Sequence, residues 1–505
     1  MNVSVTFSNC GGLKMIKKIK QHQQNLGLSL GEKVGYACGD VASNFYWRVF
    51  DVFLFIFYTD VFGLSAAAVG TMMLVTRLID AFSDPLMGAI ADRTKTKFGK
   101  FRPYLLWGII PMVAAGVLTF TVPDVSDGNK LIWAYGTYIF MMLAYTFINV
   151  PYGALLGVVT SDTQQRTTLT SFRFIGAFSG GSIVAYMTPE LVAYLGQGNE
   201  ALGWQYTMLV YGLIAAVLFT ITFLSTTERV SPPANQKTPV MQDLKDLTQN
   251  KPWKVLFVLA LIIMMTISLR GSTGTFYFKY YVERPDLIGS FAMVYMIALA
   301  IGAASTPLLT KFVDKRRLLM ILMTLVAALS LVFYFVPKDN ITLMFALQIM
   351  IGLALGPKSP LVFSMYADTA DFSQWRTGRR ATAMIFSAAA FAQKLGGALA
   401  GAMIGWTLAS LGYIANQVQT GTSQEGIVLL MTVVPAIFAA IAVPLIYFYP
   451  LDDEKLKKLQ TELQTQQDIE QQKAVQQSTA QQKIAQQEKQ NVSGGQADST
   501  GAVNV

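Results

Sequence analysis

Three ionisable residues, Arg77, Asp80 and Asp84, interrupt the apolar stretch AVGTMMLVTRLIDAFSDPLMGAIADR, which runs from about Ala68 to Arg93. Their i, i+3 and i+7 spacing puts all three on one face of a helix. An ionisable group at bilayer depth costs roughly 2.5–3.5 kcal/mol even on mild insertion scales, so the cluster must compensate itself or serve a purpose. Arg77 can neutralise Asp80 and let the helix pack. A second carboxylate one turn on, beside Ser83, leaves a net negative, oxygen-rich group that suits a hard cation or a proton.

Other polar residues recur in apolar surroundings. Asp40, Asn44, Arg48 and Asp51, at i, i+4, i+8 and i+11, form one stripe on an aromatic-rich helix. Arg48 and Asp51 can pair internally. Asp40 can instead accept hydrogen bonds from sugar hydroxyls, with Tyr36, Tyr46 or Trp47 offering flat faces for the sugar's C–H surface. Tyr145, Thr146 and Asn149 precede Pro151, whose ring frees a backbone carbonyl where a polar cavity can use it. Arg173 is followed by Gly176 and Gly180, which read as a close-packing face. Arg270 can contribute to a cavity from the second half of the chain, whereas Lys279, beside Tyr277 and Tyr280, is expected to snorkel to the outer interface. Gln393 and Lys394 precede Gly396, Gly397 and Gly401. A lone lysine there needs an anionic partner, and Asp80 and Asp84 are the obvious candidates. At ~1.5 Å per residue, Asp84, Asp80, Asn149 and Lys394 all lie roughly 10–20 Å from the basic loops, close to the membrane centre.

The elements that must position these groups are transmembrane helices. Of 505 residues 53% are hydrophobic and only 14% charged, which excludes an ordinary soluble domain. Twelve apolar segments span about 34–60, 66–91, 103–122, 131–159, 168–195, 203–225, 253–282, 287–311, 317–336, 341–366, 381–411 and 426–449. Lysine and arginine cluster in alternate loops, including Arg93, Lys95, Lys97, Lys100 and Arg102, then Lys315, Arg316 and Arg317, then Arg376, Arg379 and Arg380. The positive-inside rule puts these loops and both termini in the cytoplasm, as expected for a bacterial inner-membrane protein. The net charge of +9 therefore reports topology, and no nucleic-acid partner is expected. The fold expected is all-α: residues 33–225 and 253–450 as two pseudo-symmetric six-helix bundles, the major facilitator arrangement, with the substrate site between them at midplane. Residues 1–32 and the linker 226–252 are read as cytoplasmic, and 451–505 as a Gln-rich tail, disordered by default, whose first part LDDEKLKKLQTELQTQQDIEQQKAVQQ could form a polar amphipathic helix. Cys10 and Cys38 make neither a disulfide framework nor a metal site, and the lone His22 lies in the polar N-terminal segment. No nucleophile–base or metal constellation supports an enzyme, and no cofactor is expected.

The stretches GYACGDVA, FYTDVFGLS, TRLIDAFSDPLMG, ADRTKTKFGKFRPYLLWG, INVPYGAL, SFRF and DTADFSQWRTGRRATAM resemble the glycoside–pentoside–hexuronide:cation symporter family, the melibiose-permease-like members of the major facilitator superfamily. The resemblance runs from about Gly31 to Pro450. It implies a cation site, with Na+ possible, at Asp80 and Asp84, joined by Ser83, Thr146 and Lys394. It implies sugar contacts from Asp40 and Arg173, with Tyr145 a neighbouring aromatic. Two departures bear on selectivity. Asn149 stands where the melibiose permease has a second sugar-binding aspartate, and Gly153 where it has a tryptophan expected to stack on the sugar. Ser83 replaces an asparagine, which leaves Na+ and H+ both open as coupling ion.

The expected activity is symport of a glycoside, pentoside or hexuronide of about disaccharide size with one monovalent cation. Substrate contacts are expected from Asp40, Asn149, Arg173, Tyr145, Trp47 and Arg270. Arg48 and Arg270 could also receive an acidic sugar. Asp92, Arg93, Lys100, Arg102, Arg376, Arg379 and Arg380 are expected to gate the cytoplasmic side. A drug or lipid transporter on the same fold, and a non-transporting sugar sensor, are the alternatives. The bilayer, the sugar and the cation are the expected partners of a monomer.

Overall fold

A computed structural model describes residues 28–160, 163–229, 247–377, 382–452, 454–459, 461–463 and 465, apart from the side chains of Ala81, Asp92, Asp127, Thr163, Gln164, Arg166, Thr167, Thr382 and Ala383. Twelve helical spans follow one another among these residues. The first six are α1 (Leu30–Val52), α2 (Ala66–Arg93), α3 (Arg102–Trp107 with Ile109–Thr119), α4 (Asp127–Val159), α5 (Thr163–Gly196) and α6 (Glu200–Ser225). The second six are α7 (Lys251–Phe276), α8 (Ile288–Leu309), α9 (Lys315–Tyr334), α10 (Ile341–Leu355 with Lys358–Thr377), α11 (Thr382–Ser410) and α12 (Gly421–Met431 with Val433–Tyr447). Nine of them are long and apolar enough to cross a membrane by length and composition, among the described residues.

The boundaries follow local chemistry. Ser29 and Glu32 form a reciprocal capping box at the start of α1, and Ser65, Asn199, Asn250, Asp314 and Thr420 cap α2, α6, α7, α9 and α12. Three spans read from the sequence as continuous are interrupted. Pro111, Pro357 and Pro435 lack an amide hydrogen and clash with the carbonyl four residues earlier, which breaks α3 at Gly108, α10 at Gly356–Pro357 and α12 at Thr432. The helices α1 and α7 both run into a π-helical turn, Phe57–Val61 and Tyr277–Tyr281. In each the chain leaves by the same two bonds: Phe62 N–H to Phe57 O and Leu64 N–H to Tyr58 O, then Val282 N–H to Tyr277 O and Arg284 N–H to Phe278 O.

Within the first half α1 packs on α5 and α6, and α2 on α4; within the second α7 packs on α11 and α12, and α8 on α10. Across the halves the extensive contacts are α2 with α11 and α5 with α8, with a smaller one between α1 and α7. The α2–α11 crossing is closest at Gly70 and Gly405. A Cβ on Gly405 would sit 2.3 Å from the Ala66 carbonyl oxygen and 2.8 Å from the Gly70 Cα, so only hydrogen fits there. The α5–α8 crossing is equally tight at Gly289, where a Cβ would lie 2.6 Å from the Tyr186 carbonyl oxygen.

The reading of everything beyond Pro450 as a disordered tail needs correction for its first part. Residues 454–459 and 461–463 are helical, with Leu456, Leu459 and Leu463 buried along one face. The Trp375 indole N–H donates to Glu462 Oε2 at 2.7 Å, tying this helix to the end of α10. The i, i+3 and i+7 leucines supply enough apolar surface to dock. The Gln-rich stretch from 466 onwards lies outside the described residues, as do Cys10, His22 and most of the linker.

Candidate functional site

Asp80 and Asp84 stand one turn apart on α2, and Pro85 follows within the helix. Asp80 is 1% exposed. Opposite them α11 presents Lys394, whose ammonium lies 2.8 Å from Asp80 Oδ2 and 2.5 Å from Asp84 Oδ2. The other carboxylate oxygens turn to α4, where the Thr146 hydroxyl is 2.9 Å from Asp80 Oδ1 and 3.1 Å from Asp84 Oδ1. One hydroxyl has one proton, so it donates to a single carboxylate at a time. Two carboxylates against one ammonium leave a net negative charge, and three oxygens from Asp80, Asp84 and Thr146 converge beside it. This arrangement can accept a hard cation or a proton, and it joins the two halves of the molecule.

Two sequence expectations change here. Arg77 does not neutralise Asp80 by direct contact: its guanidinium lies over the Trp47 ring, 4.4 Å from the centroid, a cation–π geometry. Ser83 does not turn to the carboxylates, because its hydroxyl donates to the Asp80 backbone carbonyl at 2.8 Å. A serine three residues after a helical carbonyl does this readily, and the short side chain cannot do both.

A second polar group lies on α1 and α5. The Arg173 guanidinium is 3.2 Å from Asp40 Oδ1 and 5.1 Å from the centre of the Tyr152 ring. Tyr36 and Tyr152 stack with centroids 5.0 Å apart, and the Tyr152 hydroxyl donates to the Tyr36 carbonyl at 2.7 Å. The Trp47 and Tyr145 rings face each other at 5.7 Å, so Trp47 connects this aromatic wall to Arg77. Asn149 on α4 leaves a buried Oδ1 without a partner. Carboxylate, guanidinium, amide and ring faces together are a set that recognises a polyol.

Arg270 does not join this group. It is buried among Gln348, Ser330 and the Met431 carbonyl of the second half. Arg48 pairs with Asp51 at 2.8 Å, the internal pair that the stripe allowed.

Among the described residues, those expected at the cytoplasmic gate are not seen to meet across the halves. The backbone N–H groups of Lys100, Phe101 and Arg102 donate to Glu228 at 2.8, 2.7 and 3.0 Å, and the Arg102 guanidinium donates to the Phe223 carbonyl at 2.6 Å, all within the first half and the start of the linker that leaves it. Arg376 donates to the Gln249 carbonyl at 2.7 Å within the second. Arg93 is exposed, and the Asp92 side chain, Arg379 and Arg380 lie outside the described residues.

The cross-half contact is at the opposite end, and sequence reasoning missed it. Asp60, in the π-helical turn after α1, pairs with Lys279 at 2.6 Å in the matching turn after α7. It also accepts from the Tyr280 and Tyr413 hydroxyls, the latter at 2.5 Å, while Asn416 donates its side-chain amide to the Asp60 carbonyl at 2.5 Å. Lys279 is therefore an ion-pair partner rather than a snorkelling residue. The signal was present in the paired FYTD and FYFK motifs, which carry opposite charges at the ends of corresponding helices.

Comparison with known proteins identifies the family. The family model described as MFS/sugar transport protein matches residues 35–453. An uncharacterized symporter of Bacillus subtilis is 39% identical over 447 residues, covering 88% of this chain and 96% of its own. A putative glycoside/cation symporter of Escherichia coli is 36% identical, covering 86% of this chain and 95% of its own. The chain belongs to the glycoside–pentoside–hexuronide:cation symporter family. It is a membrane transporter for sugar coupled to a cation, and not an enzyme. An isoprimeverose transporter of Lactiplantibacillus pentosus is 34% identical, with 85% and 90% covered. Among solved structures, a proton-dependent oligopeptide transporter superposes with a TM-score of 0.62 at 11% identity, covering 86% of this chain and all of its own, a likeness of fold alone.

Proposed function

We propose that this symporter imports a glycoside together with one Na+ or H+ by alternating access. The single observation that carries this reading is the Asp80–Asp84–Thr146–Lys394 cluster, in which carboxylates of one half meet an ammonium of the other. A cation or proton arriving there competes with Lys394 for the carboxylates. Its binding therefore changes a contact between the halves, which is what coupling between ion and conformation requires. Asp40 and Arg173 hold the sugar, with Tyr145, Trp47 and Asn149 around it. A relative named as an isoprimeverose transporter supports a glycoside as cargo. With the basic loops in the cytoplasm, the end tied by Asp60 faces outward and the cargo site is reached from inside.

The membrane potential contributes about 2.3 kcal/mol per charge per 100 mV, roughly fifty-fold accumulation for one cation. In energised vesicles, Asp80→Asn and Asp84→Asn should each abolish accumulation while exchange of sugar down its gradient persists. Concentrative uptake in either variant would show that the coupling site lies elsewhere. The coupling ion follows from whether uptake responds to a Na+ gradient or to a proton gradient alone.

A further inference from the structure

The polar stripe on α1 runs on from Asp40 to Arg48, eight residues or about 12 Å along the helix axis. There it meets α7, α8 and α10 of the second half around a small cavity lined by Arg48, Asp51, Arg270, Tyr295 and Gln348 among others. Arg270 is 1% exposed and bonds only neutral acceptors: Gln348 Oε1 at 2.5 Å, the Met431 carbonyl at 3.2 Å and Ser330 Oγ at 3.4 Å. The Met431 carbonyl is free to accept because Pro435, four residues on, has no amide hydrogen to give it. Two guanidinium groups and one carboxylate leave this cavity with a net positive charge, and arginine does not shed its proton.

Three donors of the same lining are buried and have no partner: Arg48 Nε–H, Arg270 Nε–H and the Tyr295 hydroxyl. A buried donor without an acceptor forfeits its hydration and receives nothing in return, so three around one cavity call for an oxygen-bearing anion. We propose that this cavity is a binding site for a single carboxylate-type oxyanion, shared between Arg48 of the first half and Arg270 of the second. The Nε–H of each arginine can take one of the two oxygens of a carboxylate, and Asp51 disfavours a doubly charged guest. An anion held from both halves ties them together beneath the Asp60 contact, so its binding favours the conformation closed at that end. The oxyanion is either a free carboxylate or an acid group carried on the transported sugar. The second source rests on the sugar-symport reading, whereas the site itself does not.

The test is titration of the purified full chain in detergent, at constant Na+, with acetate, glucuronate and glucose as choline salts or neutral sugar, read by tryptophan fluorescence. The wild-type protein should bind at least one of the two carboxylates. Arg48→Lys keeps a cation beside Asp51 but removes Nε, and Tyr295→Phe removes only an unpartnered hydroxyl; each should weaken that binding roughly tenfold. Arg270→Gln should abolish it. Acetate and glucuronate binding alike supports a free anion; glucuronate alone supports an acid on the sugar. The proposal is overturned if the wild type binds neither, or if Arg48→Lys and Arg270→Gln, melting as the wild type does, both bind as tightly as it does. Should Arg270→Gln not fold, undiminished binding in both Arg48→Lys and Tyr295→Phe overturns it. Loss of coupled uptake in Asp80→Asn bears on the symport reading only and leaves this titration unaffected.

Discussion

The two ends of the molecule both carry charged and aromatic residues but use them differently. At the end of Asp60, charges and glycines reach across the halves: Asp60 to Lys279, Gly70 against Gly405, Gly289 against Tyr186. At the basic end the described polar contacts stay on one side of the divide, Glu228 with the N–H groups opening α3 and Lys315 with Asp368 at 2.7 Å. Helices on a scaffold of this kind can exchange one set of cross-half contacts for another without unpacking either half. The ends therefore differ in what their polar groups bind, and that difference defines the conformational state.

The comparison can be broken most severely at Gly405. Gly405→Val places atoms where the Ala66 carbonyl already sits, so the Asp60 end cannot close and uptake should be lost entirely; full uptake would show that this packing is not part of the cycle. Asp60→Asn comes next. It leaves Lys279 with 25% of its side chain exposed and no ion-pair partner there, costing the closed end about 3 kcal/mol, the lower figure for breaking a buried pair. A thiol introduced by Gly274→Cys, where an added Cβ meets open space, should then label faster from the Asp60 side in a background with Cys10→Ala and Cys38→Ala. Asp60→Asn combined with Lys279→Gln should restore slow labelling. A smaller effect is expected at the basic end: Glu228→Gln weakens three N–H acceptances and should cost about 1–2 kcal/mol of stability, read as a lower unfolding midpoint, with labelling unchanged. Glu462→Ala removes one exposed bond to Trp375. It should stay within about 0.5 kcal/mol and leave uptake unaltered.

Much of the site was legible because membrane helices expose their exceptions. The periodicity of α2 placed Asp80 and Asp84 on one face, and the isolation of Lys394 in a small-residue helix pointed to an acid. Ser83 was misjudged and the partner of Arg77 was left open because a hydroxyl and a long guanidinium have several partners within reach, and spacing along one helix does not choose among them. Arg270 was assigned to the sugar group as a charge on an apolar helix of the second half, although its neighbours Ser330, Gln348 and Met431 come from three other helices. The interruptions at Pro357 and Pro435 were visible as residues, but hydropathy ran across them without a break. The docked leucines after Pro450 were outweighed by the polar composition around them.

The amino-acid sequence by itself determined that the chain is a twelve-helix membrane transporter, and which residues carry charge at membrane depth. It could do so because hydrophobic length and the cost of a buried charge are properties of a single helix. Only the tertiary structure decided who pairs with whom: Lys394 rather than Arg77 with the two aspartates, Lys279 with Asp60, and Arg270 with no acid among its hydrogen-bond partners. Those choices depend on which helices cross and at what height, and local sequence does not fix a pairing over 200 or 300 residues of separation.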